Sequence, residues 1–242
     1  DVIAFKSTSL ASPFQNRYYS IGKTLLKAVK MKSFSKNQLQ RYPIYLKLFR
    51  SLLEMGEVTI SSPQIAKELG YSEEQIRKDL QAVSDEPGRP KKGRDLHQLV
   101  DTLESFLGYR EDTLAILIGV GHLGNALLNY PNFDGMGLSI VAAFDNDQKK
   151  IGLKINDKTI YDSKELSERL PELKAKIAII CVPAGVAQEV VDKAIASGAK
   201  GIWNFAPTHI NVPRGVVIEN VNLASSLAVL SHRLNEELSK EG

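Results

Sequence analysis

Residues 116–124 read Ile116-Leu117-Ile118-Gly119-Val120-Gly121-His122-Leu123-Gly124, a short apolar run passing directly into a Gly-x-Gly-x-x-Gly triplet. An aspartate, Asp145, closes the next apolar run, 21 residues beyond Gly124. A strand, a glycine turn, a helix start and a distant acid form a dinucleotide-binding fingerprint. The glycines let the backbone turn tightly and approach a pyrophosphate, and the helix start offers it free N–H groups and a positive dipole end. The loop residues Gly119, Val120, Gly121, His122, Leu123 and Gly124 are thus expected to bind a nucleotide, with Asp145 on a ribose hydroxyl pair. A carboxylate there repels a 2′-phosphate and favours NAD over NADP, although Lys149 and Lys150 lie near it. Asp147 reads as a turn residue.

The surrounding pattern alternates as a doubly wound α/β sheet should. Strands are expected at 113–118, 139–144, 159–161, 177–182, 201–204 and 216–219, with helices between. Short apolar runs of this kind suit a parallel sheet covered on both faces. Ligands of such sheets lie beyond the carboxyl ends of the strands, where Val182-Pro183-Ala184 and Asn204-Phe205-Ala206 fall, so these join the expected nucleotide site.

Composition narrows the remaining possibilities. The chain has 242 residues, 43% hydrophobic and 24% charged, enough for two domains with cores, and no apolar stretch long enough to span a bilayer. A membrane role is not expected. The single cysteine, Cys181, excludes an intramolecular disulfide framework and fits a reducing, cytoplasmic setting; within an apolar run it reads as an inert core thiol. A net charge of +3 is too small to argue nucleic-acid binding by itself, so its placement must carry that argument.

Placement does so in the N-terminal half. Residues 1–30 are basic, serine-bearing and poor in acids, and read as a leader or appended extension outside the fold, although targeting peptides share that character. Three helices follow. The first, over 37–55, carries Leu39, Tyr42, Leu46, Phe49, Leu52 and Leu53 on one face. Ser61-Ser62-Pro63 starts the second, which closes on Gly70. Ser72-Glu73-Glu74-Gln75 has the form of a capping box opening the third, with Ile76, Leu80 and Val83 facing inward. That leaves Gln75, Arg77, Lys78 and Gln81 on the outer face of the second member of a helix-turn-helix, where glutamine can pair with adenine, arginine with guanine and lysine with phosphate. The basic loop Gly88-Arg89-Pro90-Lys91-Lys92-Gly93-Arg94 then stands where a winged helix puts its wing, and Arg89, Lys91 and Lys92 are expected at DNA. An ordinary three-helix bundle and a solvated linker are the plainer alternatives.

The organisation expected is therefore a leader at 1–30, a winged-helix domain at 31–95, a linking helix at 96–111, a Rossmann-type domain at 112–221 and a C-terminal helix at 222–242. After Glu219 only that helix remains, with Leu223, Leu227, Leu230, Leu234 and Leu238 in a stripe, which leaves no substrate domain. None of His97, His122, His209 and His232 has an evident catalytic partner, and no metal-ligand or nucleophile cluster appears. No catalytic or metal-binding residue is expected. A nucleotide held without chemistry is a ligand being read, and the DNA-binding segment indicates what the reading controls.

Taken together these residues resemble a known family, the Rex redox-sensing transcriptional repressors of bacteria. The resemblance runs from about Arg41 to Leu230. It is carried by Arg41-Tyr42-Pro43-Ile44-Tyr45-Leu46, Ser61-Ser62, Gln75-Ile76-Arg77-Lys78-Asp79-Leu80, the glycine loop, Asn129-Tyr130-Pro131, Ala143-Phe144-Asp145, Val182-Pro183-Ala184, Lys200-Gly201-Ile202, 204–207 and Glu219-Asn220-Val221. It implies a homodimer of winged-helix and Rossmann domains whose final helix crosses to the partner, an operator-bound form compatible with NAD⁺, and a released form favoured by NADH. By the same resemblance Arg41, Ser61 and Ser62 join the expected DNA contacts, and Arg41, Tyr130 and Asn222 form a conformational switch. Two departures stand out: Gln81-Ala82-Val83-Ser84 and a basic loop replace an aromatic, glycine-rich wing, and Asn222 stands where the family carries an aspartate. The alternative from another class is a CoA- or nucleotide-binding Rossmann protein with an enzymatic or ligase-subunit role.

Overall fold

A computed structural model describes residues 33–84 and 93–241. The leader expected at 1–30 and the expected DNA contacts Arg89, Lys91 and Lys92 lie outside the described residues. The chain forms two compact units dividing between Phe106 and Leu107.

In the N-terminal unit, helix α1 (Lys36–Glu54) starts at Ser35, whose hydroxyl accepts from Gln38 N–H and so satisfies one of the free donors of the first turn. Its inward face is Tyr42, Tyr45, Leu46 and Phe49, all buried; Leu39, expected on that face, is exposed, because the buried stripe starts one turn later. Strand β1 (Thr59–Ile60) leads into α2 (Ser62–Leu69), which stops at Gly70 with φ +69, a left-handed conformation that favours glycine. Helix α3 (Glu73–Val83) buries Ile76 and Leu80 against α1 and α2. The reciprocal capping box forms at Ser61 and Gln64 of α2, not at Ser72. There the serine still accepts from Gln75 N–H, but the return bond from the Gln75 side chain to the cap backbone does not form. Strand β2 (Arg94–Asp95) pairs antiparallel with β1, Thr59 opposite Asp95 and Ile60 opposite Arg94.

Helix α4 (Leu96–Leu107), read from sequence as a link, packs in this first unit. Leu96, Leu99 and Leu103 are buried, Phe106 meets Phe34 and Tyr42 edge-on at 4.8 and 5.1 Å, and Arg50 Nη2 donates to Glu104 at 2.8 Å. Its apolar face is long enough to complete the core of the helix-turn-helix, so the division falls after it.

The C-terminal unit is a seven-stranded sheet in the order β5-β6-β4-β3-β7-β8-β9. Its strands are β3 (Thr113–Ile118), β4 (Leu138–Asp145), β5 (Lys154–Ile155), β6 (Lys158–Asp162), β7 (Ile177–Ile180), β8 (Gly201–Asn204) and β9 (Val217–Asn220). All neighbours are parallel except β5 and β6. The sequence suggested a wholly parallel sheet; the exception is a hairpin whose Asn156 and Asp157 both adopt positive φ, as a two-residue reverse turn requires. Helices α6 (Leu166–Leu173) and α7 (Ala184–Ala196) cover one face over Ile116, Ile118, Ala178 and Ile180, while α5 (His122–Leu128) lies on the other with Leu117, Ala143 and Ile179. The chain runs outward from β3 through β4 and β6, then returns to β7 on the other side of β3. That reversal opens a crevice between the ends of β3 and β7, the usual ligand position in such sheets.

Among the described residues nothing covers helix α8 (Leu223–Glu241): every side chain from Asn222 to Lys240 is exposed, with Leu223 at 71% and Leu230 at 64%. Its leucine stripe is not covered by the Rossmann-type domain of the same chain.

Candidate functional site

The three glycines of the β3–α5 loop do different things. Gly119 has φ +97, and a Cβ there would sit 2.6 Å from the Cys181 carbonyl at the end of β7, so the turn needs glycine for conformation and for space. A Cβ on Gly124 would collide with the Gly119 carbonyl, so this position lets α5 pack on its own loop. Gly121 has nothing within 4 Å of where its Cβ would be and faces the cleft. This is the arrangement a pyrophosphate needs: two glycines shape the cradle and the third leaves the approach open.

Asp145, at the end of β4, braces that cradle. Its carboxylate accepts from Val120 N–H at 2.7 Å and Asp147 N–H at 2.9 Å, and Lys150 Nζ stands 3.3 Å away. Burial opposes ionisation, but these donors hold the carboxyl below the usual aspartate range. The group is therefore a fixed anion with one face on the glycine loop. Lys150 pairs with it rather than standing free as a phosphate ligand.

The cleft measures about 570 Å³ and brings together Gly119, Gly121, Leu123, Asp145, Val182, Pro183 and Phe205. Val120 and Gly124 lie beneath it as loop framework, while His122 and Ala184, both exposed, are the first residues of α5 and α7. Asn204 does not line it. This buried amide donates to Asn220 Oδ1, Ala206 O and Thr208 O and accepts from Ala206 N–H, so Asn204 and Ala206 shape the turn that presents Phe205. Cys181 is half-buried one residue past the strand end, packing against the core on one side and lining the cleft on the other. Burial pushes its thiol up to about 12, so it remains protonated and unreactive near neutrality, as expected of an inert thiol. Among the described residues no group of His, Cys, Asp and Glu could hold a metal ion, and no helix is long and apolar enough to cross a membrane.

On the N-terminal unit, Arg77, Lys78 and Gln81 are exposed along the outer face of α3, as expected. Arg77 and Lys78 are each paired one turn back, with Glu73 at 3.8 Å and Glu74 at 2.7 Å. Ser61 and Ser62 are half-buried at the start of α2, Ser61 as its cap. Arg41 differs from expectation. Its Nε and Nη2 donate to the two oxygens of buried Asp79 at 2.6 and 2.9 Å, and Nη1 donates to Asn37 O at 3.1 Å. A guanidinium so committed, and held further into its charged form by the Asp79 bond, is an internal brace rather than a free phosphate contact. Asp79, which also accepts from Tyr45 Oη at 2.9 Å, is the site residue that outward-face reasoning missed. Its signal was an acid at a position one residue from the apolar stripe of α3. Of the other expected switch residues, Tyr130 is exposed beside Phe133 at 4.8 Å, and Asn222 caps α8 by accepting from Ser225 N–H at 3.0 Å.

Comparison with known proteins agrees with both halves of this description. Residues 34–81 match a family model described as "Putative DNA-binding protein N-terminus", and residues 110–208 match one described as CoA binding domain. A redox-sensing transcriptional repressor Rex of Bacteroides thetaiotaomicron is 40% identical over 81% of this chain and 89% of its own. Its counterpart in Clostridium botulinum is 38% identical over 86% and 99%. Among solved structures, RSP, a Rex-family repressor, has been crystallised with NADH and with NAD⁺ and operator DNA. Its NAD⁺–DNA complex superposes with a TM-score of 0.80 at 33% identity, covering 87% of this chain and 96% of that one. The chain belongs to the Rex family of redox-sensing transcriptional repressors.

Proposed function

We propose that this protein is a dimeric repressor that binds operator DNA through its N-terminal unit and NAD(H) through the β3–α5 cleft, and that NADH favours release from the operator. The observation that carries the nucleotide half is the glycine loop: Gly119 and Gly124 are sterically required while Gly121 is open toward the cleft. Gly119, Val120, Gly121, His122 and Leu123 would hold the pyrophosphate, Asp145 the adenosine ribose, and Val182, Pro183, Ala184 and Phe205 the nicotinamide half. When bound, the nucleotide supplies only its redox state; the residues around it bind and orient it. The one thiol in the cleft, Cys181, is held protonated by burial and is a poor nucleophile. RSP, crystallised with NADH and with NAD⁺ and operator DNA, supports the same pairing of ligands here. On the DNA side Arg77, Lys78 and Gln81 would meet the duplex, with Gln75 at its edge and the basic loop around Arg89, Lys91 and Lys92 as the wing.

The dimer rests on α8. Most helix stability in proteins comes from packing an apolar face, and each fully buried leucine contributes about 1.5–3 kcal/mol, so a helix exposing Leu223, Leu227, Leu230, Leu234 and Leu238 needs a partner surface. A second copy supplies one, and two copies span two operator half-sites. Asn222 serves as the cap of that helix and, with Tyr130, as a group that could register the change between states; Arg41 serves it indirectly, through Asp79. Analytical ultracentrifugation of the full chain and of a chain ending at Asn222 tests this: the first sediments as a dimer and the second as a monomer with much weaker operator affinity. A full chain that sediments as a monomer while binding operator tightly would refute it.

A further inference from the structure

The carboxylate at the end of β4 has fewer free acceptor positions than a ribose diol needs. A carboxylate offers about four lone-pair positions, two on each oxygen. On Asp145 three are occupied: Oδ2 accepts from Val120 N–H at 2.7 Å and from Lys150 Nζ at 3.3 Å, and Oδ1 accepts from Asp147 N–H at 2.9 Å. The group is buried, so giving up either backbone donor to make room for a ligand would leave an N–H unpaired. One position on Oδ1 remains, which suffices for one of the two adenosine hydroxyls.

A donor stands beside that position. After β4 the chain turns back at Asp147, whose backbone carbonyl accepts from Lys150 N–H at 2.9 Å and whose side chain accepts from Lys149 N–H at 3.0 Å. The turn returns Lys150 to the strand end, where it lines the cleft together with Asp145. Its side chain is 35% exposed and its ammonium lies between two acids, 3.3 Å from Asp145 and 3.8 Å from Asp147. An ammonium carries three N–H donors; the Asp145 bond uses one, and the Asp147 contact is too long to be a second hydrogen bond. A cation already balanced by two carboxylates has little charge left to offer a phosphate, yet its spare N–H groups suit a neutral hydroxyl oxygen. We infer that Lys150 is a ligand of the adenosine ribose: its ammonium donates to one hydroxyl oxygen while Asp145 Oδ1 accepts from the other hydroxyl. The inference rests on the proposed placement of that ribose at Asp145.

The test is fluorescence titration of the full-length protein with NADH and with two analogues, one lacking the 2′-hydroxyl and one the 3′-hydroxyl of the adenosine ribose. Wild type binds each analogue at least about 5-fold more weakly than NADH. Lys150→Met keeps the length of the stem and removes the donors, and binds NADH about 10-fold more weakly, as loss of a hydrogen bond from a charged group implies. With one analogue that loss shrinks to within about 2-fold, which marks the hydroxyl the lysine holds. Asp145→Asn, titrated with the same ligands, is coupled to the other hydroxyl. If Lys150→Met does not fold by circular dichroism, Lys150→Ala gives the same comparison. Unchanged NADH affinity in the Lys150 variant, an equal loss with all three ligands, or coupling of both variants to the same hydroxyl overturns the inference and leaves Asp145 as the sole ribose anchor. A wild type indifferent to the loss of either hydroxyl overturns the placement of the ribose itself.

Discussion

The Asp145 carboxylate accepts a 2.7 Å hydrogen bond from Val120 N–H, tying the end of β4 to the middle of the glycine loop. The aspartate therefore has a structural duty besides any contact with ribose. Asp145→Asn keeps an acceptor for Val120 and removes the charge, so the fold is expected to survive while NADH affinity falls and discrimination against NADPH relaxes; paired fluorescence titrations measure both. Because bonding depresses this carboxyl, its contribution to stability is intact above the usual aspartate range, about pH 4, and is lost as pH falls below it. Acid melts of wild type should show that loss, and Asp145→Asn should lack it.

Gly121 and Gly124 separate ligand binding from folding. Gly121→Val places its side chain in open space, so the melting temperature should hold while NADH binding disappears and operator binding remains, since the two lie in different units. Gly124→Val drives Cβ into the Gly119 carbonyl and should lower the melting temperature by several degrees. Equal losses of stability in the two variants would contradict this division of roles.

Lys78 is held by Glu74 at 2.7 Å on the exposed face of α3. On DNA the lysine must exchange that acid for a phosphate. Lys78→Ala should make the slope of log affinity against log salt shallower by roughly 1 for each phosphate the lysine neutralises, while Glu74→Gln, which removes a competing anion, should tighten operator binding. Titrations at several salt concentrations decide it.

Much of this was legible because local chemistry and tertiary packing agree. The triplet at 119–124, β3 and β8 follow directly from short apolar runs and glycine spacing. What escaped depended on partners distant in sequence. Asp79 and Arg41 are 38 residues apart, and although an acid beside the apolar stripe of α3 marks Asp79, nothing in the helical period names Arg41 as its partner. Asn204 falls at the right strand end for a ligand contact, yet its amide is consumed by Ala206, Thr208 and Asn220. The β5–β6 hairpin was hidden by the brevity of β5, two residues before the Asn156-Asp157 turn.

Cys181 offers a direct check on the cleft. With its thiol at about 12, the thiolate fraction at pH 8 is about three orders of magnitude below that of an ordinary cysteine, so iodoacetamide labelling should be correspondingly slow and slower still with NADH bound. The linkage sign is fixed: above about pH 8.5 an unfolded thiol ionises while the folded one does not, so stability falls as pH rises through that window. Rapid labelling of the native protein at pH 8 would place the residue in a different environment.

Control of DNA occupancy by the nucleotide's redox state requires unequal affinity of NADH for the bound and released forms. Fluorescence anisotropy of a labelled operator duplex, with total NAD⁺ and NADH held constant and their ratio varied, measures this directly. Anisotropy should fall as the NADH fraction rises, and Gly121→Val should remain bound throughout. Operator occupancy that stays constant across the ratio, in a protein shown by fluorescence to be saturated with NADH, would mean that redox state does not govern release.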